Sequence, residues 1–168
     1  MNKGQVLAGD FFLSMAIFLL ILGISMTMFN YVSAQVRSNQ EEDFMHIVAI
    51  TTADLLIKTP GLPDDWNETN IKSLGLVSNE LLNQSKVVRL VNMSYDTAKD
   101  GMKISQYEIL VTFNDINGTV LNLSGMNMSF GIDPIIESQV VKIQRSTLID
   151  NGTNRIPTVI NLVLWRRI

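Results

Sequence analysis

Residues 1–32, MNKGQVLAGDFFLSMAIFLLILGISMTMFNYV, carry one lysine and one aspartate, followed by nineteen uncharged residues from Phe11 to Phe29. A helix rises about 1.5 Å per residue, so this run spans nearly the ~30 Å hydrocarbon core of a bilayer. The stretch therefore predicts a transmembrane helix. A cleaved secretory signal is the alternative, because VSA at 32–34 offers a small-residue cleavage site. Such signals, however, have shorter apolar cores.

The helical pattern continues beyond the apolar span. No glycine or proline occurs from 24 to 59, and TPGLP at 59–63 then favours a turn that stops the helix. Between them, a stripe spaced i, i+3, i+4, i+7 and i+11 consists of Phe44, Ile47, Val48, Thr51 and Leu55. We therefore predict one helix over 5–59, apolar on all sides in its first half and amphipathic in its second half, which would carry a head.

The remaining residues, 60–168, show helical and then strand periodicity, which predicts an α+β head. A helical stripe ends near Gly101 and comprises Leu81, Val88, Val91, Tyr95, Ala98 and Met102. This stripe predicts one helix packed on a sheet.

Four strands are predicted in two antiparallel hairpins. The first hairpin turns at Asn117-Gly118 and the second at Asp150-Asn151-Gly152. Alternation places three sets of residues on core-facing sides: Tyr107, Ile109, Val111 and Phe113; Val141, Ile143, Thr147 and Ile149; Ile160, Leu162 and Leu164. The segment 124–134 between the hairpins is predicted to be a loop with a short edge strand.

Composition argues against several classes of function. The net charge is −3 and lysines and arginines form no run, so no nucleic-acid partner is expected. The absence of cysteine excludes disulfides, thiolate catalysis and Cys-type zinc sites. The single histidine, His46, has no second histidine to share a metal and is interpreted as an ordinary helix residue. No catalytic set, P-loop or GxGxxG motif occurs, so the chain is expected to be neither an enzyme nor a cofactor-binding protein.

One acidic turn, DDWNE at 64–68, could in principle hold a hard cation through Asp64, Asp65 and Glu68. Its spacing is not that of a calcium loop, so a solvated turn is favoured and no metal site is predicted. Trp66 is expected to pin this turn to the head.

Acceptor triplets for N-glycosylation are unusually frequent after the apolar segment. Seven occur: Asn67, Asn83, Asn92, Asn117, Asn122, Asn127 and Asn151. They favour a glycosylated head that faces outside the cell, whereas an Asn-rich turn composition is the alternative. Asn92 falls in the predicted helix, where burial would block it.

Lys3, Gly4 and Gln5, followed by Asp10 and the long apolar helix, resemble archaeal type IV pilin precursors of the class III signal peptide group. The turn TPGLPDDW at 59–66 is also similar to the one that ends the long helix in archaeal pilin-like proteins. The resemblance implies a lollipop-shaped subunit and a prepilin peptidase that cuts between Gly4 and Gln5, so that 1–4 is a leader. The apolar segment would then remain in the mature protein, first as a membrane anchor and later as filament core.

In this family, a glutamate at the fifth mature position pairs with the terminal amine of a neighbouring subunit. Asp10 would be sixth after the expected cut, or fifth if the cut follows Gln5. Leu7 and Gly9 depart from the family pattern of Gln, Ser and Glu at alternate positions. The alternative for Asp10 is a helix-start residue that favours the macrodipole and caps free amides.

These observations predict a structural subunit, major or minor, of an archaeal type IV pilus-like surface filament. Its expected partners are other pilin subunits, the prepilin peptidase and the membrane. The competing hypothesis is an uncleaved single-pass surface protein whose extracellular head acts in adhesion or envelope binding.

Overall fold

The computed structural model describes residues 3–134 and 139–166, without the side chains of 3–9 and 38–39. The chain divides into two compact units, 1–43 and 44–168. Helix α1 spans Lys3–Lys58, so its last fifteen residues belong to the second unit. The predicted long N-terminal helix is thus confirmed, and it ends one residue before the TPGLP turn.

The second unit is an α+β head, as predicted. Its elements in chain order are β1 Val77–Ser78, β2 Leu81–Asn83, α2 Gln84–Asn92, α3 Tyr95–Met102, β3 Glu108–Asn114, β4 Asn122–Leu123, β5 Met126–Asn127, β6 Ser129–Gly131, β7 Val140–Asp150 and β8 Arg155–Trp165. Six strands form one sheet in the order β1-β2-β7-β8-β3-β6, while β4 and β5 pair separately.

The sheet is mixed, so the prediction of a purely antiparallel sheet is wrong. Strand β2 pairs with β7 in parallel, through Leu82 opposite Ile149 and Asn83 opposite Asp150. The other pairs within the sheet are antiparallel. The parallel pair arises because Leu81–Asn83 is a strand rather than the start of a helix.

The core lies on one face of the sheet. The predicted alternations hold for β3 and β8, where Ile109, Val111, Phe113, Ile160, Leu162 and Leu164 are all buried. The predicted hairpin of β7 and β8 is also confirmed, with a continuous register from Val140 opposite Trp165 to Asp150 opposite Arg155. The edge strand predicted within 124–134 is β6.

The first predicted hairpin is wrong. The turn forms as expected, since the Gly118 amide donates to the Asp115 carbonyl at 3.1 Å. Beyond the turn, however, the chain meets the end of β3 only at one bridge, between Asn114 and Val120. The two neighbours of β3 are β8 and β6. Strand β8 pairs with all seven residues of β3 on one edge, and β6 pairs with 110–112 on the other, so the segment after the turn meets only the end of β3.

The single helix predicted across 81–102 is also wrong. The chain forms β2, then α2, and then α3 after a break at Met93 and Ser94, both of which are extended. Asn83 starts α2 by accepting hydrogen bonds from two amides, so the helix cannot begin earlier. The last helix passes through Gly101 and ends at Met102, followed by the cap residue Lys103 in a left-handed conformation with φ 59°.

The buried stripe of α1 differs from the predicted one, of which Val48 alone packs at the margin of the core. The head covers Met45, Ala49, Thr52, Ala53 and Leu56, all buried. In the predicted stripe, Phe44 is 52% exposed and Ile47 is 60% exposed. Ala49 and Ala53 of the buried stripe belong to the hydrophobic core of the head.

Candidate functional site

Helix α1 is the one described helix long and apolar enough to cross a membrane. Its large apolar side chains from Phe11 to Phe29 are exposed. A soluble protein does not leave such a surface in water, because burying apolar area lowers the free energy by roughly 25 cal/mol per Å². The geometry is therefore compatible with membrane anchoring.

Asp10 lies within α1 rather than at its start. It is the eighth residue of the helix, and the first turn of the helix holds no acid. Its carbonyl accepts a hydrogen bond from the Ser14 hydroxyl at 2.8 Å, and its side chain is exposed. The interpretation of Asp10 as a helix-start cap is therefore wrong, because Asp10 lies four to seven residues beyond the first four amides of α1.

The expected cut between Gly4 and Gln5 falls within the helical backbone of α1. The side chains at 3–9 lie outside the described residues, as does the whole of residues 1–2. The assignment of 1–4 as a leader stays a prediction.

The glycosylation acceptors lie mainly at the surface. Six of the seven asparagines are exposed: Asn67, Asn92, Asn117, Asn122, Asn127 and Asn151. Asn92 is among them, which corrects the expectation that it is buried, since it lies at the end of α2 on the solvent side. Three sit in tight turns held by their own neighbours, for example Asn151, whose side-chain oxygen accepts from the Thr153 amide at 2.9 Å.

Asn83 differs from the other acceptors. Its side-chain oxygen accepts from the amides of Ser85 at 2.9 Å and Lys86 at 3.2 Å, which caps α2. The side chain is half-buried, and a glycan on its amide nitrogen would have to be accommodated beside this cap. By exposure the seven acceptors thus divide into six exposed asparagines and one half-buried helix cap.

The acidic turn at 64–68 is built into the head by separate contacts. The Asp64 carboxylate accepts from the Lys86 ammonium, and Glu68 accepts from the Ser94 amide at 3.1 Å. Trp66 is fully buried and donates its indole N–H to the Gly75 carbonyl at 2.7 Å, which confirms that it pins the turn. Over 3–134 and 139–166, no three acidic or histidine side chains converge on a possible cation position.

Two buried lysines were not foreseen from the sequence. Lys86 donates to the carbonyls of Pro60 at 2.9 Å and Val77 at 3.0 Å, in addition to Asp64. It thereby ties α2 to the turn after α1 and to β1. Its position within an ordinary helical polar pattern offered no sign of this contact.

The second buried lysine, Lys99, belongs to a polar cluster beneath α3. Its ammonium lies 3.3 Å from Glu108, whose other oxygen accepts from the Tyr95 hydroxyl at 2.7 Å. Burial and this hydrogen bond to a carboxylate raise the pKa of Tyr95 to about 12. The Tyr95 oxygen also accepts from the Ile109 amide at 2.9 Å, so the cluster joins α3 to β3.

Comparison with known proteins finds no matching family model, no matching curated protein and no matching solved structure.

Proposed function

We propose that the protein is a structural subunit, major or minor, of an archaeal type IV pilus-like surface filament. The proposal rests on the different surroundings of the two halves of α1. Its residues 11–29 expose an uncharged surface, while its residues 45–56 form part of the hydrophobic core of an α+β head. One helix thus serves both as a potential membrane anchor and as a structural element of the head.

The apolar surface of α1 supports two successive environments. Lipid would cover Phe11–Phe29 before assembly, and the same helices of other subunits would cover it afterwards, since both remove apolar side chains from water. A simple anchor needs only the first environment and no extension into a folded head.

The acceptor asparagines support an extracellular head. Six are open to solvent, and all seven follow the apolar span in the chain. N-linked glycans on these residues would face the medium in a surface filament.

The leader and Asp10 complete the proposal. Removal of 1–4 would create a terminal amine at Gln5, and Asp10 of a neighbouring subunit would pair with that amine. In an apolar filament core, an unpaired charge costs about 3–5 kcal/mol, so this pairing would select one axial register between subunits.

The test is to determine the N-terminus of the protein from native cells, by mass spectrometry of both the membrane fraction and sheared surface filaments. We expect filaments that contain the chain and begin at Gln5, or at Val6 if the cut follows Gln5. A chain that keeps Met1 in the membrane, with none in the filament fraction, would refute the proposal.

That refuting result would favour the second candidate, an uncleaved single-pass surface protein with an adhesive or envelope-binding head. Leu7 and Gly9, which depart from the pilin pattern around the cut, are the observation in its favour. The two candidates share the membrane-spanning helix and the extracellular head, and they differ in whether copies assemble.

A further inference from the structure

The head contains two Asn-Gly pairs, Asn117-Gly118 and Asn151-Gly152, whose turns are held by different hydrogen bonds. All four residues are exposed. In an Asn-Gly pair the asparagine side chain can cyclise on the backbone, because glycine has no Cβ to obstruct the approach of its nitrogen. The ring consists of the glycine nitrogen and the asparagine C, Cα, Cβ and Cγ atoms, which already follow one another in the chain. The two turns therefore present the same chemistry in two different surroundings.

At Asn151 the side-chain carbonyl is held by two backbone donors. Its Oδ1 atom accepts from the Thr153 amide at 2.9 Å and from the Asn154 amide at 2.6 Å. When a nucleophile adds to Cγ, negative charge develops on this oxygen. Two N–H donors at such distances stabilise that charge as an oxyanion hole does. The same contacts polarise the carbonyl before attack, so Cγ of Asn151 is activated towards a nucleophile.

The attacking nitrogen also has a suitable partner. The Gly152 N–H donates to the Asp150 carboxylate at 2.9 Å, which is within the reach required of a general base. The carboxylate is thus placed to take the proton that the nitrogen loses as it attacks Cγ. Residues 150–152 therefore bring together a base, a nucleophile and an activated carbonyl.

The turn at Asn117 is arranged differently. The Gly118 N–H donates to the backbone carbonyl of Asp115 at 3.1 Å, and a peptide carbonyl is far less basic than a carboxylate. The Asp115 carboxylate instead accepts from the backbone amide of Asn117 at 2.9 Å. It also accepts from Asn117 Nδ2, the nitrogen that would leave, at 3.4 Å. The acid of this turn thus holds the asparagine itself and not the attacking nitrogen.

We propose that Asn151-Gly152 is a site of self-modification, at which the Gly152 nitrogen attacks Asn151 Cγ to form a succinimide. The new N–Cγ bond forms as the proton of Gly152 passes to the Asp150 carboxylate. The Cγ–Nδ2 bond then breaks, and Nδ2 takes up this proton and leaves as ammonia. Water opens the imide at either carbonyl and gives aspartate or isoaspartate. Water is the sole co-reactant, and no oxidant or reductant is needed.

The product changes the turn between β7 and β8. A neutral amide becomes a carboxylate next to Asp150, and isoaspartate adds one carbon to the main chain. Either product also destroys the acceptor triplet at Asn151, because the amide nitrogen that would carry a glycan is gone. In a glycosylated head, as the proposed function holds, glycan transfer and cyclisation compete for Asn151. The cyclisation itself does not depend on the proposed function.

The test follows both asparagines in one molecule. Thr119→Ala and Thr153→Ala remove the two acceptor triplets, so that no glycan masks either asparagine, and leave the backbone amides in place. This full-length protein is held in detergent at neutral pH. Conversion at each site is measured by mass spectrometry of proteolytic peptides, and isoaspartate is identified by enzymatic methylation. The same incubation in urea gives the rates in the unfolded chain.

Two matched substitutions are added to this protein, Asp150→Asn and Asp115→Asn. Asparagine keeps an oxygen that accepts a hydrogen bond but is not a base. We expect Asn151 to convert about tenfold faster than Asn117 in the folded protein, below the roughly 10²–10⁴-fold of enzymatic general bases because the turn is open to water. In urea the two rates should converge. Asp150→Asn should lower the Asn151 rate to that of Asn117, and Asp115→Asn should leave the Asn151 rate unchanged.

Equal conversion of Asn151 and Asn117 in the folded protein, or faster conversion of Asn117, would overturn the inference, since the hydrogen bonds at Asn151 would then protect its amide. No conversion at either site would overturn it as well. This comparison needs no variant at Asp150, so it holds even if that variant does not fold. A preference for Asn151 that persists in urea would show that the fold is not its cause. An unchanged Asn151 rate in Asp150→Asn, with a circular dichroism spectrum like that of the parent, would exclude the carboxylate as the base.

Discussion

Replacing Lys86 by methionine should destabilise the head far more than the same replacement at Lys58. Lys86 has a side chain that is 9% exposed, and its ammonium donates to the Pro60 and Val77 carbonyls and to Asp64. Lys58 is 65% exposed and contacts Asp54 at 2.7 Å, four residues earlier on α1. Both changes remove one positive charge and keep an unbranched apolar stem, so the pair isolates the effect of the buried contacts.

The expected magnitude follows from these contacts. Each hydrogen bond from the Lys86 ammonium to a carbonyl contributes about 1.5–3 kcal/mol, and the pair with the largely exposed Asp64 adds about 0–1 kcal/mol. The net loss of stability is smaller than this sum. The reason is that burying an uncharged methionine does not carry the desolvation cost of burying the Lys86 ammonium. We therefore expect Lys86→Met to lower the free energy of unfolding by about 2–3 kcal/mol. For a domain of this size that lowers the Tm by roughly 6–15 °C.

Lys58→Met should lower the free energy of unfolding by less than about 1 kcal/mol. Exposed i,i+4 ion pairs contribute about 0.3–0.5 kcal/mol, and a cation in the last turn of a helix adds a similar amount. The assay is urea unfolding and thermal melting of a head fragment that begins near residue 36, followed by circular dichroism. Equal losses for Lys86→Met and Lys58→Met, or a loss at Lys86 below that at Lys58, would refute the role assigned to the buried ammonium.

Four further outcomes are expected. Ile21→Arg should abolish membrane retention or assembly, because a central arginine costs roughly 2.5–3.5 kcal/mol on insertion; normal filaments would contradict this. The head fragment from about residue 36 should be soluble and melt cooperatively, which aggregation of every such fragment would disprove. Asp10→Asn and Asp10→Ala should leave membrane levels normal but reduce filament yield, while Asp10→Glu is tolerated; wild-type yield from Asp10→Asn would exclude the ion pair. Hydrogen bonds from Lys58 and Arg145 lower the pKa of Asp54 below its usual 3.8. The ionised carboxylate therefore stabilises the fold above pH 3.8, and this stabilisation is lost as the pH falls through the lowered pKa of Asp54. Asp54→Asn should therefore reduce the stability difference between pH 7 and pH 3, and an unchanged difference would contradict this assignment.

The candidate site was only partly accessible from the sequence. The apolar span and the seven acceptor triplets are local patterns, so they were found without a structure. The division of the acceptors was not found, because it depends on burial: Asn83 is half-buried where it caps α2, whereas Asn92 is exposed although its amide nitrogen donates to the Val88 carbonyl. The position of Asp10 within α1 likewise depends on where the helix starts, and helix starts are poorly determined by composition alone.

No pattern in the sequence predicts the contacts of Lys86 and Lys99. Lys86 meets the Pro60 carbonyl across 26 positions of the chain, and Tyr95 meets Glu108 across 13. A buried lysine has the same residue type and the same helical spacing as an exposed one. Its burial follows from which elements close over it, which is decided by the whole fold.

By itself the sequence determined the features whose causes are local. The second half of α1 contains no glycine or proline, and the helix ends at the prolines and glycine of TPGLP. The β7–β8 hairpin forms because two alternating segments flank a turn sequence, so that pairing residues are close in the chain.

Only the tertiary structure decided which elements meet and which faces they use. On the edge of β3 away from β8, the neighbour is β6 rather than the segment directly after the turn of β3. Helix α1 carries two apolar stripes in its second half, and the one that includes Ala49 and Ala53 is buried in the core of the head. That choice depends on the shape of the opposing surface, which residues distant in the chain create together, and it leaves Phe44 and Ile47 on the outside.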